Sequence, residues 1–242
     1  MENRTCVHHR DEVMELIECY LHCADFAPHR KLPSERELCQ MWNLNRTTLR
    51  AAIRRMVELG RLYSLKGSGT YVAPPKLERN LQDAQSITES VRGAGRQLVT
   101  RVLDNEVLGA TEFVAQKLQI TPGEPVLCLH RFRLLDGKPY MVENNYVNLK
   151  LCPRLVEHDF GNESLYDVMT YYNVYPTEGS EGIGITYATE DEAKLLLTEV
   201  GDSLFYRAGI TKESNGRPVE FFRSVTRPDM VRFSSILRVR RT

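Results

Sequence analysis

KLPSERELCQMWNLNRTTLRAAIRRMVELGRLYSLKGSGTY, residues 31–71, is the stretch that decides the fold of the first third of the chain. Ser34 and Glu37 have the spacing of a capping box, in which each residue satisfies a free backbone N–H group of the other at the start of a helix. The Asn-Leu-Asn break that follows this helix is of the length that joins two steeply crossed helices. Asn45, the last residue of the break, can cap the second helix through its side-chain oxygen. The stretch therefore predicts a helix-turn-helix.

The second of these helices has two distinct faces and is predicted to end at about Leu59, before Gly60. Its apolar residues recur with the spacing of a buried helical stripe, at Leu49, Ala52, Ile53, Met56 and Val57. Its outward face carries Arg46, Thr47, Arg50 and Arg54. Arginine can form two hydrogen bonds with a guanine edge, and the positive end of a helix attracts phosphate. This face is typical of a helix that reads the major groove of DNA, and the alternative is a solvated basic face.

Two short strands are predicted after this helix, over 61–65 and 70–73, and a glycine-rich turn joins them. They complete a winged helix-turn-helix that has Lys66 and Gly67 at the tip of the wing. Glycine at the tip lets the backbone approach a phosphate or the minor groove closely. A helix over about Asp11–Cys23 supplies the third helix that the core needs.

The stretch LPSERELCQMWNLNRTTLRAAIRRMVELGRLYSLKGSGTYV resembles the N-terminal domain of the GntR family of bacterial transcription regulators. The resemblance implies that DNA is contacted by the arginine of the PSER segment, by the first residues of the second helix and by the wing tip. These positions, with the basic residue of the wing tip added, are Arg36, Asn45, Arg46, Thr47, Thr48, Arg50, Lys66 and Gly67. Asn45 departs from the Ser or Thr usual in the family. Because Asn also caps helices well, the departure bears on base preference.

The charge of the chain is unevenly distributed, although the net charge is zero. With 242 residues, 42% of them hydrophobic and 26% charged, the composition is typical of a soluble globular protein with two domains. Between Arg30 and Lys76 there are ten basic residues and three acidic ones. The remainder of the chain is therefore acidic, and one basic region is left to bind nucleic acid.

Cellular location and bound metals are also constrained by the sequence. There is no apolar run suited to a signal peptide or a membrane span, so a cytoplasmic protein is expected. The six cysteines lack C-x-x-C spacing, which indicates reduced thiols. A metal site at Cys19 and Cys23 is the alternative, but His22 does not share their helical face. We expect neither a metal site nor a cofactor.

A polar stretch without an apolar period follows the wing and is predicted to be a linker, residues 75–85. The predicted domains are then 1–74, which binds DNA, and 86–242. Mobility of the linker would let a ligand change the spacing of two DNA-binding domains.

Hairpins dominate the second predicted domain. Strands are predicted over 97–107, 126–135, 139–148, 203–212 and 219–227, with an edge strand over 231–240, and helices over 110–118, 164–172 and 190–199. The Asp136-Gly137 and Asn215-Gly216 pairs are strong hairpin signals. Because hairpins rather than β-α-β units join the strands, the predicted fold class is α+β with an antiparallel sheet.

This half of the chain resembles the UTRA effector domain of the HutC subfamily, whose fold is similar to that of chorismate lyase. The resemblance is carried by LQITPGEPVLCLHRFRLLDGKPYMVENNYV, ESLYDVM and GRPVEFFRSVTRPDMVRF. It implies an effector-binding and dimerisation domain whose ligand contacts include Tyr166 and Glu220. Thr226 stands where an aromatic residue is often found, which bears on the identity of the effector. The hairpins argue against the all-helical, metal-binding effector class of the same family.

A small anion is the ligand that these residues favour. Arg131 and Arg133 lie two apart on a strand, so both guanidinium groups point to one face and can clamp one anion. If the turn at Gly137 is a three-residue loop, Glu143 lies opposite Arg131, where it can orient an arginine or accept a ligand hydroxyl. The alternative is a surface salt bridge between the arginines and Glu143.

Hydroxyl residues at two predicted helix starts add to this site. Free backbone N–H groups at a helix start suit a phosphate or a carboxylate, and plain helix capping is the alternative. The full set of predicted effector-binding residues is Ser86, Thr88, Arg131, Arg133, Glu143, Ser164, Tyr166 and Glu220.

The sequence thus predicts a homodimeric transcription repressor that a small anionic metabolite, a sugar phosphate before a carboxylate, releases from a palindromic operator of double-stranded DNA. Two-fold pairing doubles the contacts of a domain that alone reads few base pairs. The alternatives are an enzyme of chorismate-lyase-like fold acting on a small carboxylate, and an architectural DNA-binding protein without a ligand. The sequence shows no nucleophile-base arrangement, phosphate loop or spaced metal ligands that would favour the enzyme.

Overall fold

The structure, a computed structural model, describes residues 9–23, 26–83 and 85–236. It divides into two compact units, and the division lies between Lys76 and Leu77. Within the described residues, no helix is both long enough and apolar enough to cross a membrane. Residues 237–240 of the predicted edge strand lie outside the described residues.

The first unit contains three helices and a two-stranded antiparallel hairpin. Its elements are α1 (Arg10–Cys23), α2 (Glu35–Trp42), α3 (Arg46–Glu58), β1 (Leu62–Leu65) and β2 (Gly69–Val72). All three helices and the hairpin contribute to one apolar core, in which Ile17, Leu38 and Leu49 are fully buried. The predicted winged helix-turn-helix is confirmed.

Side-chain caps determine where α2 and α3 begin. The Ser34 hydroxyl accepts a hydrogen bond from the Glu37 backbone at 3.3 Å, and the Glu37 carboxylate accepts one from the Ser34 backbone at 2.7 Å. The Asn45 side chain accepts a hydrogen bond from the Thr48 backbone at 2.7 Å. These bonds satisfy donors that the first turn of a helix leaves free. Both helix starts therefore depend on the capping residues that the sequence identifies.

The second unit is an α+β domain built on a six-stranded sheet. Its helices are α4 (Ile87–Gly93), α5 (Glu112–Leu118), α6 (Leu165–Tyr171) and α7 (Glu190–Leu196), with a 3-10 turn at Leu155–Glu157. Its strands are β3 (Leu77–Asn80), β4 (Leu98–Gly109), β5 (Pro125–Leu135), β6 (Lys138–Asn148), β7 (Glu178–Tyr187), β8 (Ser203–Lys212), β9 (Pro218–Thr226) and β10 (Val231–Ser234). The main sheet has the order β4-β5-β6-β9-β8-β7, and all its neighbouring strands are antiparallel. The predicted fold class is confirmed.

Helices cover both faces of the main sheet. On one face, α6 packs against Leu129 and Val147. On the other face, α5 packs against Val126 and Phe221, while α7 packs near Phe132. Because side chains alternate between the faces of a strand, the polar residues of the central strands lie on the same face as α6.

Residues 77–80 differ from their predicted role in a linker over 75–85. They form β3, which pairs in parallel with β10, outside the main sheet. Leu77 and Arg79 point inward from β3 and are 1% and 8% exposed. The predicted linker therefore extends too far into the second unit. The strand is concealed in the sequence because one of its two inward-pointing residues is an arginine.

β7 has no counterpart among the predicted strands. Its sequence, EGSEGIGITY, contains three glycines, which weaken a strand pattern. At Gly179, a Cβ atom would lie 2.6 Å from the carbonyl oxygen of Ile210 on β8. Glycine is required there because the two strands approach closely, and the same residue type conceals the strand in the sequence.

The hairpin of β5 and β6 has the predicted register for a different reason. Its turn has two residues, Asp136 and Gly137, both with left-handed backbones (φ 49° and 75°), instead of forming a three-residue loop. A β-bulge at Tyr140 then shifts the register by one residue. Beyond the bulge Glu143 lies opposite Arg131, as expected.

Candidate functional site

The first unit presents the residues predicted to contact DNA on its surface. The side chains of Arg46 and Arg50 on α3 are 71% and 62% exposed. Arg36, Asn45 and Thr47 are also exposed, and Thr48 is half-buried. An exposed face that combines arginine and threonine at the start of a helix can reach both base edges and phosphates.

Glu35, at the first position of α2, holds two of these arginines. Its carboxylate accepts hydrogen bonds from Arg46 Nε at 3.1 Å and from Arg50 Nε at 2.9 Å. Although burial acts in the opposite direction, the bonds from Arg50 and Arg46 lower the pKa of Glu35. The two guanidinium groups are therefore held close together on one side of α3, a contact that sequence reasoning missed.

The wing tip consists of the three residues between β1 and β2. Lys66 and Gly67 there are both exposed. Gly67 has φ +77°, and a Cβ atom added to it would meet nothing within 4 Å. Backbone conformation rather than crowding thus favours glycine at the tip, and the backbone is open to an approaching ligand.

The second unit contains a cavity of about 650 Å³, a volume suited to a small molecule. It opens on the α6 face of the main sheet. The predicted effector-binding residues line it without exception, namely Ser86, Thr88, Arg131, Arg133, Glu143, Ser164, Tyr166 and Glu220. They come from five elements and from two caps, so the fold brings together residues that are far apart in the sequence.

Arg131, Arg133 and Glu143 form a buried ion cluster in this cavity. The Glu143 carboxylate lies 2.7 Å from Arg131 Nη2 and 2.5 Å from Arg133 Nη2, and the three side chains are at most 7% exposed. Burial, and then repulsion from Arg133, lowers the pKa of Arg131 to about 10. Burial acts to raise the pKa of Glu143, but the charges of both arginines hold it below its ordinary value. The ion pairing with Glu143 that was considered as the alternative is present, but it is buried in the cavity wall instead of lying on the surface.

Glu220 is the centre of a second polar network in the cavity. Its carboxylate accepts hydrogen bonds from Tyr166 at 2.9 Å, from Thr211 at 3.0 Å and from Asn145 at 2.6 Å. Asn145 in turn accepts a hydrogen bond from Arg131 at 2.9 Å, which joins the network to the ion cluster. Burial raises the pKa of Glu220, although its three hydrogen-bond donors act in the other direction. Carboxylate and hydroxyl groups in this arrangement suit the hydroxyl groups of a ligand.

Ser86 and Ser164 serve as helix caps as well as lining the cavity. The Ser86 hydroxyl accepts a hydrogen bond from the Glu89 backbone at 3.1 Å in a capping box of α4, and the Ser164 hydroxyl caps α6. Thr88 lies inside α4 instead of before it, and its hydroxyl accepts a hydrogen bond from Arg133 at 3.4 Å. Capping and ligand contact are compatible at these positions because the caps lie at the cavity wall.

Several charged residues of the cavity wall were not predicted. Arg79 on β3 was missed because its segment reads as a linker, and Glu181 was missed with the whole of β7. Arg207 lies in the correctly predicted strand β8, where the alternation with the inward-facing Gly209 and Thr211 indicates its direction. The period of two along that strand is the signal that could have identified it.

No group of three or more potential metal ligands occurs among the described residues. Cys19 and Cys23 are exposed on α1 with their sulfur atoms 3.8 Å apart, and Cys128 and Cys152 are buried.

Two family comparisons divide the chain as the fold does. The family described as bacterial regulatory proteins, gntR family, matches residues 9–72. The UTRA domain matches residues 93–232.

Full-length relatives agree with these matches. The HTH-type transcriptional regulator YurK of Bacillus subtilis is 34% identical over 80% of this chain and 81% of its own length. The HTH-type transcriptional repressor NagR of the same organism is 30% identical over 92% of this chain and 91% of its own length. Among solved structures, PhnF from Mycobacterium smegmatis has a TM-score of 0.70 at 25% identity and covers 94% of this chain and 100% of its own.

Proposed function

From the premise that this chain belongs to the GntR family of bacterial regulatory proteins and combines its winged helix-turn-helix with a UTRA domain, we propose that it is a transcription repressor released from its operator by a small anionic metabolite. A sugar phosphate is the favoured effector. The family is one of regulators, as are the relatives, so the enzyme considered as an alternative is not supported.

The convergence of the predicted effector residues on one cavity is the observation that carries this proposal. Cations that are buried in a cavity destabilise a protein unless an anion pairs with them. Among the described residues, Glu143 is the one carboxylate that pairs directly with Arg131 and Arg133, so two buried cations share a single paired anion. Phosphate, which forms charge-assisted bonds with arginine, suits this cluster. The hydrogen-bonding groups around Glu220 would then receive the hydroxyl groups of a sugar.

DNA binding is assigned to the outward face of α3 and to the wing tip. The support is their exposure, the pairing of Arg46 and Arg50 through Glu35, and the basic character of the region. Because a bacterial regulator of this family acts on DNA, we propose that this protein lies in the cytoplasm.

A homodimer is part of the proposal because one winged unit contacts too few base pairs for specificity. The edge strand β4 supports it. Most of its residues are exposed, including Val99, Leu103, Val107 and Leu108, each at least 40% exposed. An exposed apolar edge strand is a surface that folded proteins cover, and a two-fold axis would pair β4 with its own copy.

The DNA-binding part is tested with an operator selected from random duplexes by the wild-type protein. Arg50→Ala should weaken binding to this operator about tenfold or more, the loss of one bidentate base contact per subunit. Arg10→Ala is the matched control, since Arg10 is an exposed arginine of α1 outside the predicted set. Equal operator affinity of Arg50→Ala and wild-type protein would contradict the assignment of α3.

The effector part is tested by thermal unfolding with glucose 6-phosphate, glucose and inorganic phosphate. Glucose 6-phosphate should raise the melting temperature of the second unit and release the operator, whereas glucose alone should do neither. If neither phosphorylated sugars nor phosphate stabilise the protein, the proposed effector class is wrong.

A further inference from the structure

Arg79 is a buried arginine that forms no ion pair with a carboxylate among the described residues. Its side chain lines the cavity from β3, and the residue is 8% exposed. Within the described residues its one hydrogen bond is a long one, 3.4 Å from Nη2 to the carbonyl oxygen of Gln85, and its buried Nη1 has no partner. Burial, and then repulsion from Arg207, lowers the pKa of Arg79. A buried cation in this state is costly, and a bound anion would remove the cost.

Arg207 lies beside Arg79 at the same end of the cavity. It is 6% exposed and pairs with Glu181 of β7. Its guanidinium lies 5.6 Å from the ring centre of Phe222 and 5.5 Å from that of Phe233, which hold it in place. Its buried Nε has no hydrogen-bond partner among the described residues. Arg207 is therefore positioned by its neighbours and still has a donor to offer.

The strand register gives the separation between this pair of arginines and the ion cluster of Glu143. Arg131, Glu143, Ser224 and Arg207 are successive register partners on β5, β6, β9 and β8. Residues in one such row point to the same face, and neighbouring strands lie about 4.8 Å apart. The backbones at Arg131 and Arg207 are therefore about 14 Å apart across three strand spacings. Arg131 and Arg207 therefore enter the one cavity from strands that are three strand spacings apart.

The arginines of the cavity outnumber the carboxylates with which they form ion pairs. Among the described residues, Arg131 and Arg133 pair with Glu143, Arg207 pairs with Glu181, and Arg79 forms no ion pair. The carboxylate of Glu220 is hydrogen-bonded to uncharged donors and not to an arginine. An anion bound at Arg131 and Arg133 would therefore leave Arg79 without a paired anion.

We infer that Arg79 and Arg207 form a second anion-binding subsite and that the effector carries an anionic group at each end, as a phosphorylated sugar acid or a sugar bisphosphate does. This inference rests on the proposed function, since it concerns the same cavity. It narrows the effector from any sugar phosphate to one with two separated acidic groups, with the polar network of Glu220 facing the hydroxyl groups between them.

Matched ligands test the charge requirement on the full-length protein by isothermal titration calorimetry. The pairs are 6-phosphogluconate with glucose 6-phosphate, and glucose 1,6-bisphosphate with glucose 6-phosphate. At least one doubly anionic sugar should bind about ten- to a hundredfold more tightly than its singly anionic counterpart, the gain of one charge-assisted hydrogen-bonding site. If no doubly anionic sugar binds more tightly than glucose 6-phosphate, the inference is wrong.

The Arg79→Gln variant tests whether Arg79 is the source of the tighter binding. In this variant the doubly anionic ligand should lose its advantage, while the affinity for glucose 6-phosphate stays within about twofold. Arg79→Lys should restore part of the advantage because it restores the charge. Arg154→Gln, which removes an arginine that is exposed and outside the cavity, should leave both affinities unchanged. An equal loss for both ligands in Arg79→Gln would contradict a separate second subsite.

Stability without ligand separates a binding role from a structural one. If the role of Arg79 is to bind an anion, Arg79→Gln should be at least as stable as wild-type protein in urea unfolding without phosphate or sulfate. The substitution removes a buried charge that has no ion pair among the residues that the structure describes. Marked destabilisation would show a structural role and overturn the inference. If singly anionic sugars stabilise the protein but a second anionic group does not increase the affinity, this inference alone is overturned. If neither these sugars nor inorganic phosphate stabilise the protein, the proposed effector class is overturned as well.

Discussion

Replacing Glu143 by Gln should strongly destabilise the second unit. Within the part of the chain that the structure describes, Glu143 is the one carboxylate that pairs with both Arg131 and Arg133, and all three side chains are buried. Removing one partner of a buried ion pair leaves an uncompensated charge and costs about 3–5 kcal/mol. Because Gln keeps the size of Glu and one acceptor oxygen, packing is preserved and the loss reports on the charge. For a unit of this size, the melting temperature should fall by about 6 to 20 °C.

The assay is urea unfolding followed by circular dichroism, with thermal melts as a second measure. Glu157→Gln is the control, because that carboxylate is exposed and pairs with a single exposed arginine. It should leave the unfolding midpoint nearly unchanged. Phosphate should recover part of the lost stability in Glu143→Gln, since the freed guanidinium groups can bind it. A loss of less than about 1 kcal/mol would refute the reasoning that Glu143 compensates two buried cations.

The pH dependence gives the same prediction an independent check. The pKa of Glu143 in the folded protein lies below its ordinary value of 4.5. A lowered pKa contributes stability that is present above the unfolded value and is lost as the pH falls through the folded one. The stability difference between wild-type protein and Glu143→Gln should therefore narrow as the pH falls below about 4.5.

Three further outcomes are expected. Asn45→Ala should lower the stability of the first unit by about 1 kcal/mol in urea unfolding, and Asn45→Ser should restore it, because the lost hydrogen bond is a helix cap. Glu220 has a raised pKa, so wild-type stability should fall as the pH rises from 4.5 through that pKa, and Glu220→Gln should flatten this fall in denaturant titrations. Leu103→Asp with Val107→Asp on β4 should yield monomers by sedimentation, whereas Arg101→Asp on the same strand should not, and dimers in both would exclude β4 as the interface.

The first unit was predictable because short-range chemistry determines it. The Ser34 box and the Asn45 cap act within three residues, and the apolar stripe of α3 has a clear helical period. The contact of Glu35 with Arg46 and Arg50 was not predictable, because it joins two helices whose crossing the sequence does not specify. Local sequence signals thus predict the helices, whereas the ion pairs of Glu35 depend on how the helices pack.

In the second unit, the residues that were missed lie where local signals are weak. β3 has four residues and only one apolar one, Leu77, so the segment reads as polar linker. β7 is rich in glycine because its backbone approaches β8 closely. Arg79 and Glu181 belong to these two strands, so the sequence predicts only part of the cavity wall. A three-residue turn predicts Glu143 opposite Arg131. The turn has only two residues, and the bulge at Tyr140 adds one residue, so the same register results.

The position of Arg79 connects the charge of the cavity with the chain that leads to it. β3 begins at Leu77, directly after the division between the two units, and Arg79 is its third residue. Without an anion, the buried charge of Arg79 opposes the inward position of this strand, whereas Leu77, 1% exposed, favours it through its apolar contacts. An anion held by Arg79 would turn the opposing contribution into a stabilising one. We therefore expect saturating 6-phosphogluconate to release the operator more completely than saturating glucose 6-phosphate does, and Arg79→Gln should remove that difference in operator-binding titrations.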